Sequence, residues 1–112
     1  FVPIVERAYP EIDPIHLSAP PDDAYARALA SARSLGWEIV HEDPERGTFT
    51  ATDTSAIFRF VDDVVVRVQP EDDGTRIDVR SKSRDGRGDL GANAERIQRF
   101  AAELKLPPVA TR

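Results

Sequence analysis

The sequence predicts an α+β fold, a two-layer sandwich in which two helices cover one face of an antiparallel sheet. Residues 62–83 alternate between apolar and charged side chains on both sides of a short turn, as a β-hairpin does. Residues 21–35 and 89–104 carry apolar side chains every three or four positions, which is typical of amphipathic helices. The length of 112 residues suits a single core. The predicted order is β-α-β-β-β-β-α, a helix-grip-like arrangement.

The first strand and helix have clear local signals. Residues 15–17 alternate and predict a short strand with His16 pointing outward. Pro20 and Pro21 set the backbone angle that a first helical turn needs, and Gly36 is a natural stop. The predicted helix has one apolar stripe, formed by Tyr25, Ala28, Leu29, Ala32 and Leu35.

Two strands follow the first helix. Residues 37–41 alternate, a turn containing Pro44 comes next, and residues 47–54 alternate again. The second of these strands places Phe49 inward and its threonines outward, where threonine suits a half-exposed pleated surface. The inward aromatic side chains are expected in the core, namely Trp37, Phe49 and Phe100.

The hairpin of residues 62–83 has a well-specified register. Residues 71–74 form the turn, and a slip of one residue would place aliphatic side chains opposite charges. Each opposite-charge pair across the strands stabilises the sheet by roughly 0.2–1 kcal/mol. The register predicts four cross-strand pairs: Val68 with Ile77, Val66 with Val79, Arg67 with Asp78, and Asp63 with Lys82.

The second predicted helix follows a glycine-rich connection over residues 84–88. Asp89 is a suitable N-cap, and Asn93 lies at the margin of the apolar stripe, where we expect it to brace the preceding segment. The stripe itself consists of Leu90, Ala94, Ile97, Phe100, Ala101 and Leu104.

Composition excludes several classes of protein. The chain has no cysteine, which excludes disulfide scaffolds, thiol catalysis and cysteine-ligated metals. The net charge of -5 and the absence of an aromatic pair on the outer sheet face argue against nucleic-acid binding. No apolar run approaches the roughly 20 residues of a membrane span. No cofactor is expected.

The two ends differ from the middle of the chain. Prolines predict an extended N-terminal arm over residues 1–14, then a single domain over residues 15–104 and a proline-containing tail over residues 105–112. The first residue is Phe1, and we expect that a targeting or anchoring segment preceded it.

Several stretches carry a family resemblance. Residues 60–68 and 77–97 include an arginine-, serine- and glycine-rich run that ends at an asparagine, and residues 9–12 and 36–40 agree as well. Over residues 9–104 the chain resembles domain of unknown function 1499, which occurs in bacteria and photosynthetic eukaryotes. The resemblance implies no established activity. It implies that bacterial members often carry a hydrophobic N-terminal segment, so we expect a membrane-anchored, envelope location for the full-length protein and no membrane contact by this domain.

Residues 76–99 hold seven basic and four acidic side chains in an otherwise acidic chain. Loop arginines beside a helix N-terminus predict an anion site at residues 84–93. A structural network that pins the loop explains the same residues and is the favoured interpretation. The candidate anion ligands are Arg80, Ser83, Arg84, Arg87 and Asn93, and the candidate ion-pair network is Asp62, Asp63, Arg80, Arg84 and Asp89.

Other chemical motifs are weak. Residues 86–91 spell G-x-G-x-x-G, but no parallel strand and acidic partner follow, so a dinucleotide site is rejected. Asp62 and Asp63 are neighbours on a strand and face opposite ways, which disfavours an acid–base dyad. His16 and His41 lie on different strands and do not form a metal motif.

These observations leave two functional hypotheses. The first is a non-catalytic binding or interaction module of an envelope protein, acting through the charged outer sheet face or residues 84–93 on a protein partner or a small anion. The alternative is a small hydrolase or lyase that would use Asp62, Asp63, Arg80 and Arg84.

Overall fold

The computed structural model describes residues 14–54, 61–83 and 90–105, with side chains from residue 93 onward in the last stretch. Residues 1–13, 55–60, 84–89 and 106–112 lie outside the described residues, and they include most of the N-terminal arm and of the C-terminal tail. The predicted α+β class and element order are confirmed. The elements are β1 (Ile15–Leu17), α1 (Pro21–Ser34), β2 (Glu38–Asp43), β3 (Thr48–Thr54), β4 (Val61–Glu71), β5 (Gly74–Ser83) and α2 (Leu90–Lys105).

The five strands form one open antiparallel sheet in the order β1-β5-β4-β3-β2. Strands β2 to β5 are neighbours in space as in sequence. Strand β1 instead pairs with β5, with Ile15 opposite Ile77. The sheet therefore has its longest strand, β4, at the centre and short or irregular strands at both edges.

The predicted register of the β4–β5 hairpin is confirmed at all four pairs. The turn is tighter than predicted, because Glu71 already pairs with Gly74 and only two residues lie between the strands. Gly74 has a φ of +148°, and a Cβ atom there would overlap the carbonyl oxygen of Leu17 on β1. Glycine therefore allows β1 to lie directly beside the hairpin.

The core lies between the inner sheet face and the two helices. Ala24, Ala28 and Ala32 of α1 are fully buried, so small side chains bring this helix close to the sheet. Helix α2 contributes Phe100, whose ring stacks on Trp37 at 5.2 Å between ring centroids. Phe49 is fully buried as well, so the three aromatic side chains expected in the core are all there.

Strand β2 departs from the predicted alternation. The pairing with β3 shifts between Ile39 and His41, so a β-bulge places these two side chains on opposite faces. The residue between them, Val40, is 55% exposed. Because a bulge adds one residue against a regular partner strand, the period-two pattern of the sequence could not show it.

Candidate functional site

Polar side chains from three strands and from α2 lie together at one end of the inner, helix-covered face of the sheet. Asp53 on β3, Asp62 on β4 and Ser83 on β5 are direct cross-strand partners and form one row across the sheet. Side chains directly opposite each other in a sheet lie close together, so two carboxylates face each other in this row. The apolar rows of the core begin immediately beside it, with Ala51 opposite Val64.

Arg96 of α2 bridges the two carboxylates. Its Nε donates to Asp53 Oδ2 at 2.8 Å, and its Nη2 lies 2.6 Å from Asp62 Oδ2. The side chain of Arg96 is only 11% exposed. A guanidinium suits this position because its donors point in fixed directions and can serve two carboxylates at once.

A second set of hydrogen bonds joins the same guanidinium to β5. Arg96 Nη1 donates to Asn93 Oδ1 at 2.7 Å and to Ser81 Oγ at 3.0 Å. The hydroxyl of Ser81 donates to Asn93 Oδ1 at 2.6 Å, and Asn93 Nδ2 donates to Ser83 Oγ at 3.5 Å. We call this group the Arg96 cluster, and its members are Asp53, Asp62, Ser81, Ser83, Asn93 and Arg96.

The Arg96 cluster is internally satisfied. Asn93 is 1% exposed and Ser81 is fully buried, and in the described part of the chain no buried side-chain polar atom lacks a hydrogen-bond partner. A satisfied polar network of this kind specifies how the elements around it pack. The cluster therefore ties the beginning of α2 to β3, β4 and β5.

The structure separates the residues of the predicted anion site and network. Asp62, Ser83 and Asn93 belong to the Arg96 cluster on the inner face, whereas Arg80 and Asp63 occupy outer-face positions of their strands. Asn93 contacts Ser81 on the inner face, and Arg80 is the neighbour of Ser81 on β5. Since neighbouring positions on a strand face opposite ways, Arg80 and Asn93 are on opposite sides of the sheet. The other predicted members, Arg84, Arg87 and Asp89, lie outside the described residues, so the anion site stays a prediction.

Sequence reasoning missed the importance of Asp53 and Arg96. The cation that the structure places on Asp62 is Arg96, which the predicted network of Asp62, Asp63, Arg80, Arg84 and Asp89 does not include. The pairing of Asp63 within that network stays a prediction. Asp53 follows Phe49 and Ala51 at intervals of two residues on β3, so its side chain is on the same inward-facing side. This alternation could have identified Asp53 from the sequence. Arg96 lies three residues after Asn93 on the helix, so the two side chains share a face.

A small cavity adjoins the Arg96 cluster. It has a volume of about 100 Å³ and is lined by Leu35, Trp37, Asp53, Arg96 and Arg99. Two of the charged side chains that line it are paired with each other, because the carboxylate of Asp53 accepts a hydrogen bond from Arg96 Nε. The cavity is an extension of the cluster towards solvent.

A larger cavity of about 250 Å³ lies at the start of α1. We call it the Tyr25 cavity. The Tyr25 hydroxyl donates to the Thr48 carbonyl oxygen at 2.8 Å, and its ring meets the Phe49 ring edge-on. Burial raises the pKa of the Tyr25 hydroxyl, and the negative charges of Glu42 and Asp43 raise it further. The lining residues are Pro21, Asp22, Tyr25, Pro44, Gly47 and Val68.

The outer face of the sheet is open in the described part of the chain, since both helices pack into the core on the other side. On the central strand Val65 is 42% exposed, with Thr50 and Arg80 as its cross-strand partners. Charged side chains occupy most of the other outer positions of β4 and β5, where Val61 and Gln69 also lie: the cations are Arg67, Arg76, Arg80 and Lys82, and the acids are Asp63, Glu71 and Asp78.

Comparison with known families assigns the chain. The family described as protein of unknown function (DUF1499) matches residues 3–104, nearly the whole sequence. The chain belongs to the DUF1499 family. No curated protein matches the chain.

The two histidines of this DUF1499 domain lie on opposite edge strands of the sheet. His16 Nδ1 lies 2.7 Å from Glu71 Oε2, and His41 is on the far edge strand. Among the residues that the structure describes, no group of three or more histidine, aspartate or glutamate side chains could hold a metal ion. Within the same residues, neither helix combines the length and apolar character needed to cross a membrane.

Proposed function

We propose that this DUF1499 domain is a non-catalytic interaction module that binds an acidic protein partner through the outer face of β4 and β5. The observation that carries the proposal is the uncovered centre of the sheet. There Val65 is 42% exposed and Arg80 stands beside it on β5. An apolar centre surrounded by charged and polar side chains is a common composition of protein interfaces.

The charges on this face favour an acidic partner. Four cations face outward on β4 and β5 against three acids, although the chain as a whole has a net charge of -5. Two of the acids have partners, since Glu71 lies 2.7 Å from His16 and Asp78 lies 3.2 Å from Arg76. An acidic surface would be attracted to this face and repelled by the rest of the molecule, which would orient the encounter.

The geometry of the carboxylates supports a binding role over hydrolysis or elimination. Asp62 lies on the inner face with its charge matched by Arg96, while Asp63 lies on the outer face. Two carboxylates on opposite sides of a sheet do not act on one substrate together. No described arrangement favours the hydrolase or lyase alternative, so we do not propose it.

Residues 84–93 extend the proposal. Strand β5 carries Arg80 and Lys82, and Arg84 and Arg87 follow them in the sequence. We propose that these two arginines add to the same positively charged surface and can hold an anionic group of the partner.

In the full-length protein we propose an envelope location, with this domain outside the membrane.

Site-specific photocrosslinking in the native host tests the proposal. A photoreactive amino acid replaces Val65, and in a matched control it replaces Val40, which is exposed on the bulge of an edge strand. Position 65 should yield a discrete adduct with one acidic protein, and position 40 should not. Adding the Arg80→Glu substitution should weaken binding of that purified protein by about ten-fold or more at low salt. Equal adducts at both positions, or no adduct at position 65, would contradict the proposal.

A further inference from the structure

We propose that the Tyr25 cavity is a binding site for one cationic side chain, a lysine or arginine, of a protein partner. It lies where α1, the β2–β3 turn and β4 meet, and the Arg96 cluster is at the other end of β3. The inference concerns a different surface from the outer sheet face and does not depend on it.

The walls of the cavity suit the stem of a basic side chain. Pro21, Pro44, Val68 and the ring of Tyr25 provide apolar surface for methylene groups. Lysine and arginine place such stems along apolar surfaces while the charged head stays near water. An aromatic ring in the wall adds a further attraction for a cation.

The charges around the cavity favour a cation. Asp22 lines it, and Asp23 follows in the same first turn of α1. Burial is the main cause of the raised pKa of the Tyr25 hydroxyl, and the negative charges of Glu42 and Asp43 add to it, so the potential at this wall of the cavity is negative. These carboxylates also make the cavity unsuitable for an anion, despite the partial positive charge at a helix N-terminus.

The nearby basic side chains leave this negative potential in place. Arg33 Nη2 is 3.5 Å from Glu42 Oε2, and Arg46 Nε is 3.7 Å from Asp43 Oδ2. Both arginine side chains are more than half exposed, so solvent screens these ion pairs strongly.

The cavity is held in shape before any ligand arrives. The Tyr25 hydroxyl is anchored on Thr48, and the ring is packed edge-on against the fully buried Phe49. Gly47 has a φ of +71°, and a Cβ atom there would overlap the Val68 carbonyl oxygen. A preformed site loses little conformational entropy when its ligand binds.

Titration of the ¹⁵N-labelled protein with capped amino acids tests the inference by NMR. The probes are N-acetyl-arginine methylamide, its lysine analogue, the neutral citrulline analogue and the glutamate analogue. The two cationic probes should shift the amide resonances of Tyr25, Gly47 and Val68 in a saturable way. They should bind at least about five-fold more tightly than citrulline, and glutamate should not bind.

Variants separate this site from general attraction to an acidic protein. Asp22→Asn should weaken arginine binding by about three-fold or more, whereas Asp72→Asn, in the β4–β5 turn, should leave it unchanged. Tyr25→Phe keeps the ring and should retain binding, whereas Tyr25→Leu should lose it in a protein whose spectrum is otherwise folded. Citrulline binding as tightly as arginine, shifts spread evenly over the acidic surface, or an unchanged Asp22→Asn titration would overturn the inference. Arg80→Glu tests only the outer-face proposal and should not alter this titration.

Discussion

Replacing Arg96 by methionine removes the guanidinium between Asp53 and Asp62 while keeping an unbranched apolar side chain in place of the arginine stem. The two carboxylates are direct cross-strand partners, so they would face each other without a cation between them. Ser81 and Asn93 would also lose the donor that the guanidinium supplies. We expect Arg96→Met to lower the free energy of unfolding substantially.

The size of the loss follows from the burial of the three charged groups. Breaking a buried ion pair by removing one partner costs about 3–5 kcal/mol. The side chains of Asp53 and Asp62 retain 28% and 14% of their exposure, so water relieves part of the repulsion. We therefore expect a loss of about 3 kcal/mol, which for a domain of this size lowers Tm by about 12–24 °C.

Urea unfolding followed by Trp37 fluorescence measures this loss. Trp37 is the only tryptophan, is buried, and stacks on Phe100 of the same helix as Arg96. Arg99→Met is the matched control, because Arg99 is exposed one turn along that helix and should change stability by less than about 0.5 kcal/mol.

A double-mutant cycle identifies the cause of the loss. In an Asp62→Asn background, Arg96→Met should cost at least about 1 kcal/mol less than in the wild-type protein, since one of the facing charges is gone. A loss below about 0.5 kcal/mol for Arg96→Met would refute the reasoning. An equal loss in both backgrounds would show that the ion pair with Asp62 is not its source.

Three further outcomes are expected. Gly47→Ala should lower the free energy of unfolding in urea by about 2 kcal/mol or more, because it combines a strained φ with overlap against the Val68 carbonyl oxygen of β4. Gly36→Ala should lower it by only about 1 kcal/mol, because a Cβ atom there meets nothing within 4 Å. Because the pKa of Tyr25 is raised above 10.0 in the folded protein, the folded state holds this proton more tightly, so stability should fall as pH rises from about 10 through the folded pKa. Tyr25→Phe should remove that alkaline loss. Phe100→Ala should lower stability by about 3–5 kcal/mol and change the Trp37 emission in the native state.

Local patterns predicted much of the fold. The hairpin register is correct because a period of two and a short turn leave no other pairing that keeps aliphatic side chains together. The predicted bounds of α1 agree with the observed ones within one residue, because prolines mark its start and Gly36 marks its end. The bulge at Val40 was missed because it depends on how β2 pairs with β3.

The candidate sites depended on contacts between residues that are distant in the sequence, which no local pattern contains. Strand periodicity put Asp62 and Asp63 on opposite faces, and this is what the structure has. It could not say which cation reaches Asp62, because the answer lies 34 residues further along the chain, at Arg96. The Tyr25 cavity likewise draws on α1, the β2–β3 turn and β4 together.

By itself, the sequence determined the elements, their order and the face on which the residues of the regular strands β3, β4 and β5 lie. Side-chain period, capping and turn chemistry act over a few residues and can be read directly from the chain. Only the tertiary structure decided that β1 lies beside β5 and that Arg96 joins Asp53 to Asp62. These contacts join segments distant in sequence, and they form only when burial of the apolar faces has docked α2 on the sheet.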